Sequence, residues 1–343
     1  MLVAELTAPR EFRLSQQTIE PPGPGEVQVR VVAVGVCGSD LHFYAEGAVG
    51  DTPCQFPMVL GHEPAGAVVE TGPGVTGWLP GDRAALEPAL YCYHCEYCRS
   101  GRHNICDNIR FMSNPGVAGF FREFVNLPVS NLLAIPHELS LEAATLVEPL
   151  AIAIHSLNLA RMHLGETAAV FGAGPIGLLT IASLKTAGAG RIWAVEPVVH
   201  RREMALRMGA DAALDPRQVD PAGQILSDTG GRGVDCTFDC AAKEHTTNQA
   251  ICAARNGGRV LITGIHSEVR VPFEVSPMRR KELTIFNVRR SNHEPEAALE
   301  MLTSQIRRFA PLVTHVRPLE RIGEAFSIAG EYTDGVGKMV VRP

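Results

Sequence analysis

Hydrophobic and polar residues alternate in short runs over the first part of the chain, a pattern typical of β-strands with one buried face. Residues 27–36 are rich in β-branched side chains and follow the turn sequence Pro21-Pro-Gly-Pro-Gly25. Further strands are predicted at 65–70 and 83–86, and the glycines and prolines between them indicate tight turns. This spacing predicts a compact β-barrel or sandwich rather than an array of β-α-β units.

The pattern changes near residue 141, where a run rich in helix formers extends to residue 159. Strands then alternate with helices. The predicted strands are 167–171, 191–196, 234–239, 259–264 and 282–287, and the predicted helices are 178–187 and 202–208. This alternation predicts an α/β fold with a parallel, doubly wound sheet. After about residue 290 the chain returns to short mixed elements.

Composition narrows the classes of function. The net charge is −6, and aromatic residues make up 6% of the chain, so neither a basic surface nor a base-stacking platform for nucleic acid is indicated. Polar residues interrupt the apolar stretch 176–184, and no membrane span or signal peptide is predicted. Nine cysteines, an odd number, fit a secreted disulfide framework poorly, so we expect a cytoplasmic protein.

A glycine-rich turn indicates a dinucleotide site. The sequence Gly172-Ala-Gly174-Pro175-Ile176-Gly177 follows a predicted strand and opens a predicted helix, whose amino-terminal N–H groups can bind a pyrophosphate. Glu196 ends the next strand and can accept hydrogen bonds from both ribose hydroxyls. Its charge would repel a 2′-phosphate, which favours NAD, although Arg201 and Arg202 weaken that preference. The alternative is a glycine turn in an unrelated α/β protein.

Four cysteines form a compact metal-binding pattern. Cys92, Cys95, Cys98 and Cys106 have the spacing Cys-x2-Cys-x2-Cys-x7-Cys. Four thiolates complete a tetrahedral zinc site and leave no open position, which predicts structural zinc. The alternatives are chance clustering of reduced cysteines, an iron–sulfur cluster, and a zinc knuckle that contacts nucleic acid, although acidic neighbours leave this segment without a basic stripe.

A second set of possible ligands is dispersed along the chain: Cys37, the pair His62-Glu63, and Glu148. Sulfur, imidazole and carboxylate donors suit a borderline-soft divalent ion, and fewer than four strong ligands would leave a place for water or substrate. Tens of residues separate these segments, so spacing alone does not join them.

The chain resembles the zinc-dependent medium-chain dehydrogenases, and within them most closely the sorbitol (polyol) dehydrogenase branch. The matching segments are Cys37-Gly-Ser-Asp-Leu-His42, Gly61-His-Glu63, Gly81-Asp-Arg83, the four-cysteine segment, Val147-Glu-Pro-Leu150, the glycine-rich turn and Pro311-Leu-Val-Thr-His315. The resemblance implies a GroES-like β-barrel catalytic domain with a structural-zinc lobe, formed by residues 1–152 and 290–343. It also implies an NAD-binding Rossmann domain over residues 153–289.

Two positions distinguish the branches of this family. Alcohol dehydrogenases of the ethanol type have a second cysteine where this chain has Glu148. Threonine dehydrogenases have threonine in place of Ser39, and Asp-Pro in place of Glu148-Pro149. Both differences favour the polyol branch.

The resemblance also implies residue roles. Cys37, His62 and Glu63 would bind catalytic zinc, and Glu148 would be a fourth ligand or would hold the zinc-bound water. Ser39 would accept the proton of the reacting hydroxyl, and His42 would pass it towards solvent. The implied substrate contacts are Phe43, Phe111 and Arg289. Core packing remains the alternative for the two phenylalanines, a surface position for His42, and a solvated basic face for Arg289-Arg290.

The implied activity is transfer of hydride from a secondary hydroxyl of a polyol to NAD, which yields a ketose. Arg290 stands where mammalian polyol dehydrogenases have tyrosine, so an aldonate, sugar-phosphate or amino-alcohol substrate stays an alternative. The family implies a homodimer or homotetramer, with residues 282–287 as a plausible interface strand. A function of another class is a non-enzymatic, dinucleotide-binding zinc protein that senses redox state, but such a protein needs no open metal site.

Overall fold

The computed structural model describes residues 1–343, which form two compact units. Unit 1 comprises Met1–Glu148 and Asn292–Pro343, and unit 2 comprises Pro149–Ser291. The expected domain division has its boundaries at 152/153 and 289/290, and the contacts within the chain place them at 148/149 and 291/292.

The helices and strands follow one another in three stretches. The first stretch of unit 1 contains β1 (Leu2–Ala8), β2 (Glu11–Gln16), β3 (Glu26–Gly35), α1 (Gly38–Glu46), β4 (Ala48–Val49), β5 (Thr52–Pro53), β6 (Glu63–Thr71), β7 (Arg83–Leu86), β8 (Ala89–Leu90), α2 (Glu96–Arg99), β9 (Arg110–Phe111), β10 (Phe124–Pro128), β11 (Leu132–Ala134) and α3 (Leu141–Ala144). The next elements, from the boundary through unit 2, are α4 (Val147–Ala160), β12 (Thr167–Phe171), α5 (Pro175–Thr186), β13 (Arg191–Val195), α6 (Val199–Met208), β14 (Ala212–Leu214), α7 (Pro221–Asp228), β15 (Val234–Asp239), α8 (Glu244–Ala253), β16 (Ala254–Ile262), α9 (Val275–Arg280) and β17 (Thr284–Asn287). Unit 1 resumes with α10 (Pro295–Ser304), α11 (Ile306–Phe309), β18 (Val313–Pro318), α12 (Ile322–Glu331) and β19 (Lys338–Arg342). Single-turn 3₁₀ helices lie at His103–Ile105, Val129–Asn131, Ala310–Leu312 and Leu319–Arg321.

Unit 1 is built around a seven-stranded sheet in the order β11-β7-β6-β3-β19-β18, with β10 also paired to β3. All neighbours are antiparallel except β18 and β19. The side chains of Val27, Val29 and Val31 on β3 are fully buried, because alternate residues of a strand face the same side of the sheet. The strands predicted at 27–36, 65–70 and 83–86 are confirmed as β3, β6 and β7.

Unit 2 has a six-stranded parallel sheet in the order β14-β13-β12-β15-β16-β17, which confirms the predicted doubly wound architecture. All six residues of β15 are buried, as expected for a central strand covered on both faces. The strands predicted at 167–171 and 234–239 have the bounds of β12 and β15.

The run rich in helix formers over 141–159 forms two helices, α3 and α4, with a turn between them. Pro149 explains the break. A continuous helix would need an N–H at this position to reach the carbonyl of Thr145, and proline lacks that group and clashes with the carbonyl.

The same region contains a longer apolar segment than the stretch 176–184 considered in the sequence. An 18-residue window within Leu141–Ala160 has a mean hydropathy of 1.3, which makes this segment long and apolar enough, by length and composition only, to cross a membrane. However, 78% of that window is buried within the protein, and the core helix of a soluble protein passes the same test.

Asp235 anchors the beginning of β15. Its carboxylate accepts hydrogen bonds from the backbone and hydroxyl of Thr167 at 2.9 and 2.8 Å, and from Arg232 and Arg255 at 2.6 Å each. Burial alone would raise the pKa of Asp235, but the hydrogen bonds from Arg232, Thr167 and Arg255 outweigh it and hold the pKa well below its usual value. The side chain is therefore ionised in the folded protein down to strongly acidic pH.

We expect Asp235→Asn to lower the free energy of unfolding of unit 2 by about 2 kcal/mol at pH 7. A depressed pKa in the folded state contributes stability above the unfolded value of about 3.9, and this contribution is lost as the pH falls. Denaturant unfolding at pH 7 and pH 3 should therefore give a smaller difference at pH 3. Glu203→Gln, at an exposed acid, serves as the control and should change stability by less than about 0.5 kcal/mol. An equal loss at both pH values would contradict this explanation.

Candidate active site

The register of two neighbouring strands brings the dispersed ligands together. Strand β6 pairs with β3 so that Glu63 lies opposite Gly35, and Cys37 follows the end of β3 as the N-cap of α1. The ligand atoms of Cys37, His62 and Glu63 consequently lie within 4.8 Å of one another. Pairing of two strands that are distant in the chain therefore brings these three ligands together, although their spacing in the sequence gives no sign of it.

Asp40 holds two of these ligands in place. The Asp40 side chain is fully buried and accepts hydrogen bonds from the backbone N–H of Cys37 at 3.1 Å and of Gly61 at 3.2 Å. It also accepts one from the Ser113 hydroxyl at 2.9 Å and lies 3.3 Å from Nδ1 of His62. This contact fixes the imidazole ring and leaves its Nε2 for a metal ion.

The electrostatics around His62 are dominated by anions. Burial alone would lower the pKa of His62, but the charges and hydrogen bonds of Asp40 and Cys37 outweigh it and raise the pKa well above its usual value. Sequence reasoning missed the role of Asp40. The residue stands in the quoted Cys37-Gly-Ser-Asp segment, but its partners Gly61 and Ser113 are distant in sequence.

A buried lysine completes the surroundings of Glu63. Lys338 and Glu63 are each 1% exposed and form an ion pair. A Cβ on Gly35 would lie 2.0 Å from Oε2 of Glu63, so only glycine leaves room for this carboxylate. Apart from the ion pair, neither carboxylate oxygen has a hydrogen-bond partner, which leaves lone pairs for a cation. The one sequence signal for Lys338 is a lone cation before the apolar residues of β19.

Glu148 lies near this set but outside it. The residue belongs to the first turn of α4, and its Oε2 is buried without a hydrogen-bond partner. Burial raises the pKa of Glu148 to about 8, with His62 opposing the shift and the Glu63 carboxylate adding to it. Glu148 is not among the three residues whose ligand atoms lie within 4.8 Å of one another.

Helix α1 also carries Ser39 and His42. Ser39 is half-buried, and the His42 ring is 24% exposed with its Nδ1 3.2 Å from the exposed Glu46 carboxylate. Phe111 is buried and its ring lies 5.4 Å from the ring of His62. Phe43, in contrast, belongs to the hydrophobic core of unit 1.

Arg289 was the other expected substrate contact. It lies in unit 2, two residues after the end of β17, whereas Phe43 and Phe111 lie in unit 1.

Cys92, Cys95, Cys98 and Cys106, the lobe cysteines, form a closed set of four sulfur donors. Their Sγ atoms all lie within 4.8 Å of one another, with Cys92 at 4.0 Å from Cys98 and 3.4 Å from Cys106. Zinc–sulfur bonds of about 2.3 Å in a tetrahedron place sulfur atoms roughly 3.8 Å apart, so this set fits zinc. Hydrogen bonds from the backbone of His94 and Cys95 help to lower the pKa of Cys92 to about 5, which favours the thiolate.

The glycine-rich turn joins β12 to α5, which begins at Pro175. Gly172 has a φ of 91°, and a Cβ on Gly177 would lie 1.9 Å from the carbonyl oxygen of Gly172. The turn therefore requires glycine at both positions. A Cβ on Gly174 would lie 3.8 Å from Nη1 of Arg201, so this buried guanidinium borders the turn. The segment 172–177 thus leaves its backbone open to a pyrophosphate.

Glu196 lies at the end of β13 and is only 4% exposed. One carboxylate oxygen accepts a hydrogen bond from the N–H of Ala173 at 2.8 Å, and the other accepts one from the N–H of Val198 at 2.9 Å. The expected ribose carboxylate therefore also ties the glycine-rich turn to the turn that follows β13. Arg202 also lies close to Glu196, as its position in the sequence indicated. Its Nη1 donates to the carbonyl oxygen of Glu196 at 2.7 Å, and its Nη2 is ion-paired with Asp215 at 3.1 Å.

Comparison with known proteins gives consistent matches along the chain. The family model described as the alcohol dehydrogenase GroES-like domain matches residues 23–137, and that of the zinc-binding dehydrogenases matches residues 175–304. These matches confirm the expected GroES-like and Rossmann folds.

Individual relatives match over nearly their full length. The sorbitol dehydrogenase of Bacillus subtilis (strain 168) is 33% identical over 343 residues, which covers 100% of this chain and 97% of the relative. The L-idonate 5-dehydrogenase of Vitis vinifera is 33% identical, covering 92% of this chain and 87% of the relative. The solved structure of galactitol-1-phosphate dehydrogenase from Escherichia coli superposes with a TM-score of 0.90 at 26% identity, covering 100% of both chains.

The two sets of metal donors, the glycine-rich turn and the full-length matches all indicate the same family. The chain belongs to the zinc-dependent medium-chain dehydrogenases, in their sorbitol dehydrogenase branch.

Proposed function

We propose that this enzyme oxidises a secondary hydroxyl of a polyol such as sorbitol or xylitol to a ketose, with NAD as the oxidant. The observation that carries the proposal is the set formed by Cys37, His62 and Glu63, whose donors suit zinc and are fewer than a closed tetrahedral site needs. The match to the Bacillus subtilis sorbitol dehydrogenase over 97% of its length supports the substrate class. The same open set argues against the redox-sensor alternative, which needs no such site.

The two units divide the work in this proposal. Unit 1 is the catalytic domain, in which Cys37, His62 and Glu63 hold one zinc ion and the lobe cysteines hold another. The open set of Cys37, His62 and Glu63 would hold a zinc ion whose Lewis acidity would ease deprotonation of the reacting hydroxyl near neutral pH. Asp40 and Lys338 keep the His62 ring and the Glu63 carboxylate oriented towards the ion.

Proton movement falls to residues of α1 and α4. Ser39 accepts the proton of the reacting hydroxyl, and His42 passes it to solvent with Glu46 as its neighbour at 3.2 Å. Glu148 offers a buried, unpartnered carboxyl oxygen to the substrate hydroxyl or to the water that the substrate replaces. Phe111, packed near His62, contributes an apolar wall.

Unit 2 is the NAD-binding domain. The backbone of 172–177 binds the pyrophosphate with the guanidinium of Arg201 beside it, and Glu196 binds the ribose. NAD supplies the hydride acceptor.

The Glu196 carboxylate should set a preference for NAD over NADP of at least about tenfold in kcat/KM, or about 1.4 kcal/mol. Glu196→Gln should narrow this ratio, because the neutral amide removes the charge that repels a 2′-phosphate. Glu203→Gln, which removes an exposed charge on α6, is the matched control and should leave the ratio unchanged. Steady-state kinetics with both cofactors measure the effect. Equal use of NAD and NADP by the unaltered enzyme would show that this carboxylate does not discriminate.

A second candidate is oxidation of an aldonate or a sugar phosphate. Arg289 and Arg290 follow β17, and two adjacent cations suit an anionic substrate better than a neutral polyol. The relatives that act on L-idonate and galactitol 1-phosphate keep the same fold over the same length.

A substrate panel separates the two candidates. NADH formation at 340 nm is measured with sorbitol, xylitol, an aldonate, a sugar-alcohol phosphate and threonine, each with and without chelator. We expect the highest kcat/KM with a neutral polyol. A phosphate or carboxylate substrate that exceeds every polyol by more than about tenfold would replace the first candidate with the second.

Location and assembly complete the proposal. We place the enzyme in the cytoplasm, because five of its nine cysteines lie in the two proposed zinc sites and a reducing compartment keeps such thiols available for metal. We further propose a homodimer or homotetramer that pairs copies of β17, since this strand lies at one edge of the parallel sheet. Light scattering coupled to size-exclusion chromatography distinguishes these assemblies from a monomer.

A further inference from the structure

Asp215 is the shared carboxylate partner of two arginines, Arg202 and Arg217, that contact the turn after Glu196. Its side chain is 6% exposed and lies 3.1 Å from Nη2 of Arg202. Arg217 donates to the same carboxylate from Nε at 3.0 Å and from Nη2 at 2.9 Å, and its backbone N–H adds a third hydrogen bond at 3.0 Å. One buried carboxylate therefore holds two guanidinium groups.

The same two arginines also hold the backbone after β13. Nη1 of Arg202 donates to the carbonyl oxygens of Glu196 and Pro197 at 2.7 Å each, and Nη2 of Arg217 donates to the carbonyl of Pro197. Both cations thus end at the turn 196–198, whose N–H at Val198 bonds to the Glu196 carboxylate. In Rossmann folds an arginine near this turn is what accommodates a 2′-phosphate.

We propose that Asp215 is a specificity-determining residue, which excludes NADP by keeping Arg202 and Arg217 paired and away from a 2′-phosphate. The inference rests on the proposed NAD site of unit 2. It adds a second source of selectivity to the repulsion from Glu196, because the cations that would compensate for that repulsion are already engaged.

Asp215 is ionised, and so able to pair with both arginines, throughout the pH range in which the enzyme would be assayed. The hydrogen bond from Arg217 and the charge of Arg202 hold the pKa of Asp215 at about 2, although partial burial opposes this shift. Neutralising Asp215 should loosen both guanidinium groups, since their remaining hydrogen-bond partners are backbone carbonyls and the other carboxylate whose charge acts on Arg217 is Glu196. A freed arginine can then make charge-assisted, bidentate contacts to phosphate.

The test compares two nucleotides on the purified, zinc-loaded enzyme by calorimetric titration. Adenosine 2′,5′-bisphosphate carries the 2′-phosphate, and 5′-AMP lacks it. We expect Asp215→Asn to strengthen the binding of the bisphosphate relative to 5′-AMP by about tenfold, with a parallel rise in NADP use. Asp215→Ser is a second neutral variant with the same expectation, should the asparagine protein fold poorly.

Two further proteins isolate the cause. Asp228→Asn removes one negative charge near Arg191, at the opposite end of β13 from Glu196, and should leave the ratio within about twofold of the unaltered enzyme. Adding Arg202→Gln to Asp215→Asn should remove most of the gain. A merely structural role of Asp215 would weaken both nucleotides together and would overturn the proposal.

The outcomes also distinguish failure of this selectivity proposal from failure of the proposed NAD site in unit 2. If Asp215→Asn binds 5′-AMP tightly but its preference between the bisphosphate and 5′-AMP is unchanged, only the selectivity role of Asp215 is contradicted. Failure of the unaltered enzyme to bind either nucleotide contradicts the dinucleotide site, and the selectivity proposal falls with it.

Discussion

Glu63→Gln is expected to deplete the catalytic zinc, so that zinc content falls from two ions per chain to about one. A direct ligand is then replaced by a weaker, neutral donor, and kcat/KM with a polyol should fall by at least about a thousandfold. Glu148→Gln is the matched variant at a neighbouring carboxylate. Because we place Glu148 beside the substrate rather than on the ion, that enzyme should keep most of its zinc while kcat falls about 10- to 100-fold. Elemental analysis and NADH formation at 340 nm on both variants measure these effects.

Because Glu63 is ion-paired with the buried Lys338, the Glu63→Gln experiment needs a control for folding. Neutralising Glu63 leaves the Lys338 ammonium buried without its carboxylate, which is expected to destabilise unit 1 by about 3–5 kcal/mol. The double variant Glu63→Gln, Lys338→Met should recover most of this stability but not the zinc. If Glu148→Gln loses the metal and Glu63→Gln retains it, the roles of the two carboxylates are reversed.

Cys92→Ser is expected to remove the lobe zinc and to unfold the segment around it. Apparent zinc-binding free energies of about 10–16 kcal/mol stabilise such closed thiolate sites, and the short α2 and the neighbouring 3₁₀ helix have little core of their own. Zinc content should fall by one ion per chain, and limited proteolysis should cut within residues 91–110. Cys252→Ser, at a half-buried thiol outside both donor sets, is the control and should change neither result. Full zinc content in Cys92→Ser would contradict a structural role for this set.

Local patterns in the sequence were sufficient for much of the fold. The bounds of β12 follow from a short apolar run and those of β15 from alternating apolar and polar residues, and the glycine-rich turn follows from glycines that the backbone requires. The lobe ligands were also predictable, because all four cysteines lie within one short segment and spacing alone limits their geometry.

The open metal site depended on information that a local pattern does not contain. The residues Cys37 and Glu63 meet because β3 pairs with β6 in one particular register, and Lys338 reaches them because β19 pairs with β3. Asp40 needed partners from two other segments before its role was visible. The position of Arg202 in the sequence indicated that it lies near Glu196, but its pairing with Asp215 became apparent only in the folded chain.

The most direct test of zinc-dependent hydride transfer follows activity and metal content together in the unaltered enzyme. NADH formation from the best polyol is recorded at 340 nm while a chelator removes metal, and zinc per chain is measured at each time. We predict that activity disappears as the first of two zinc ions leaves, because the open site releases metal before the closed cysteine set, and that added zinc restores it. Full activity in enzyme that has lost this first zinc would contradict the account.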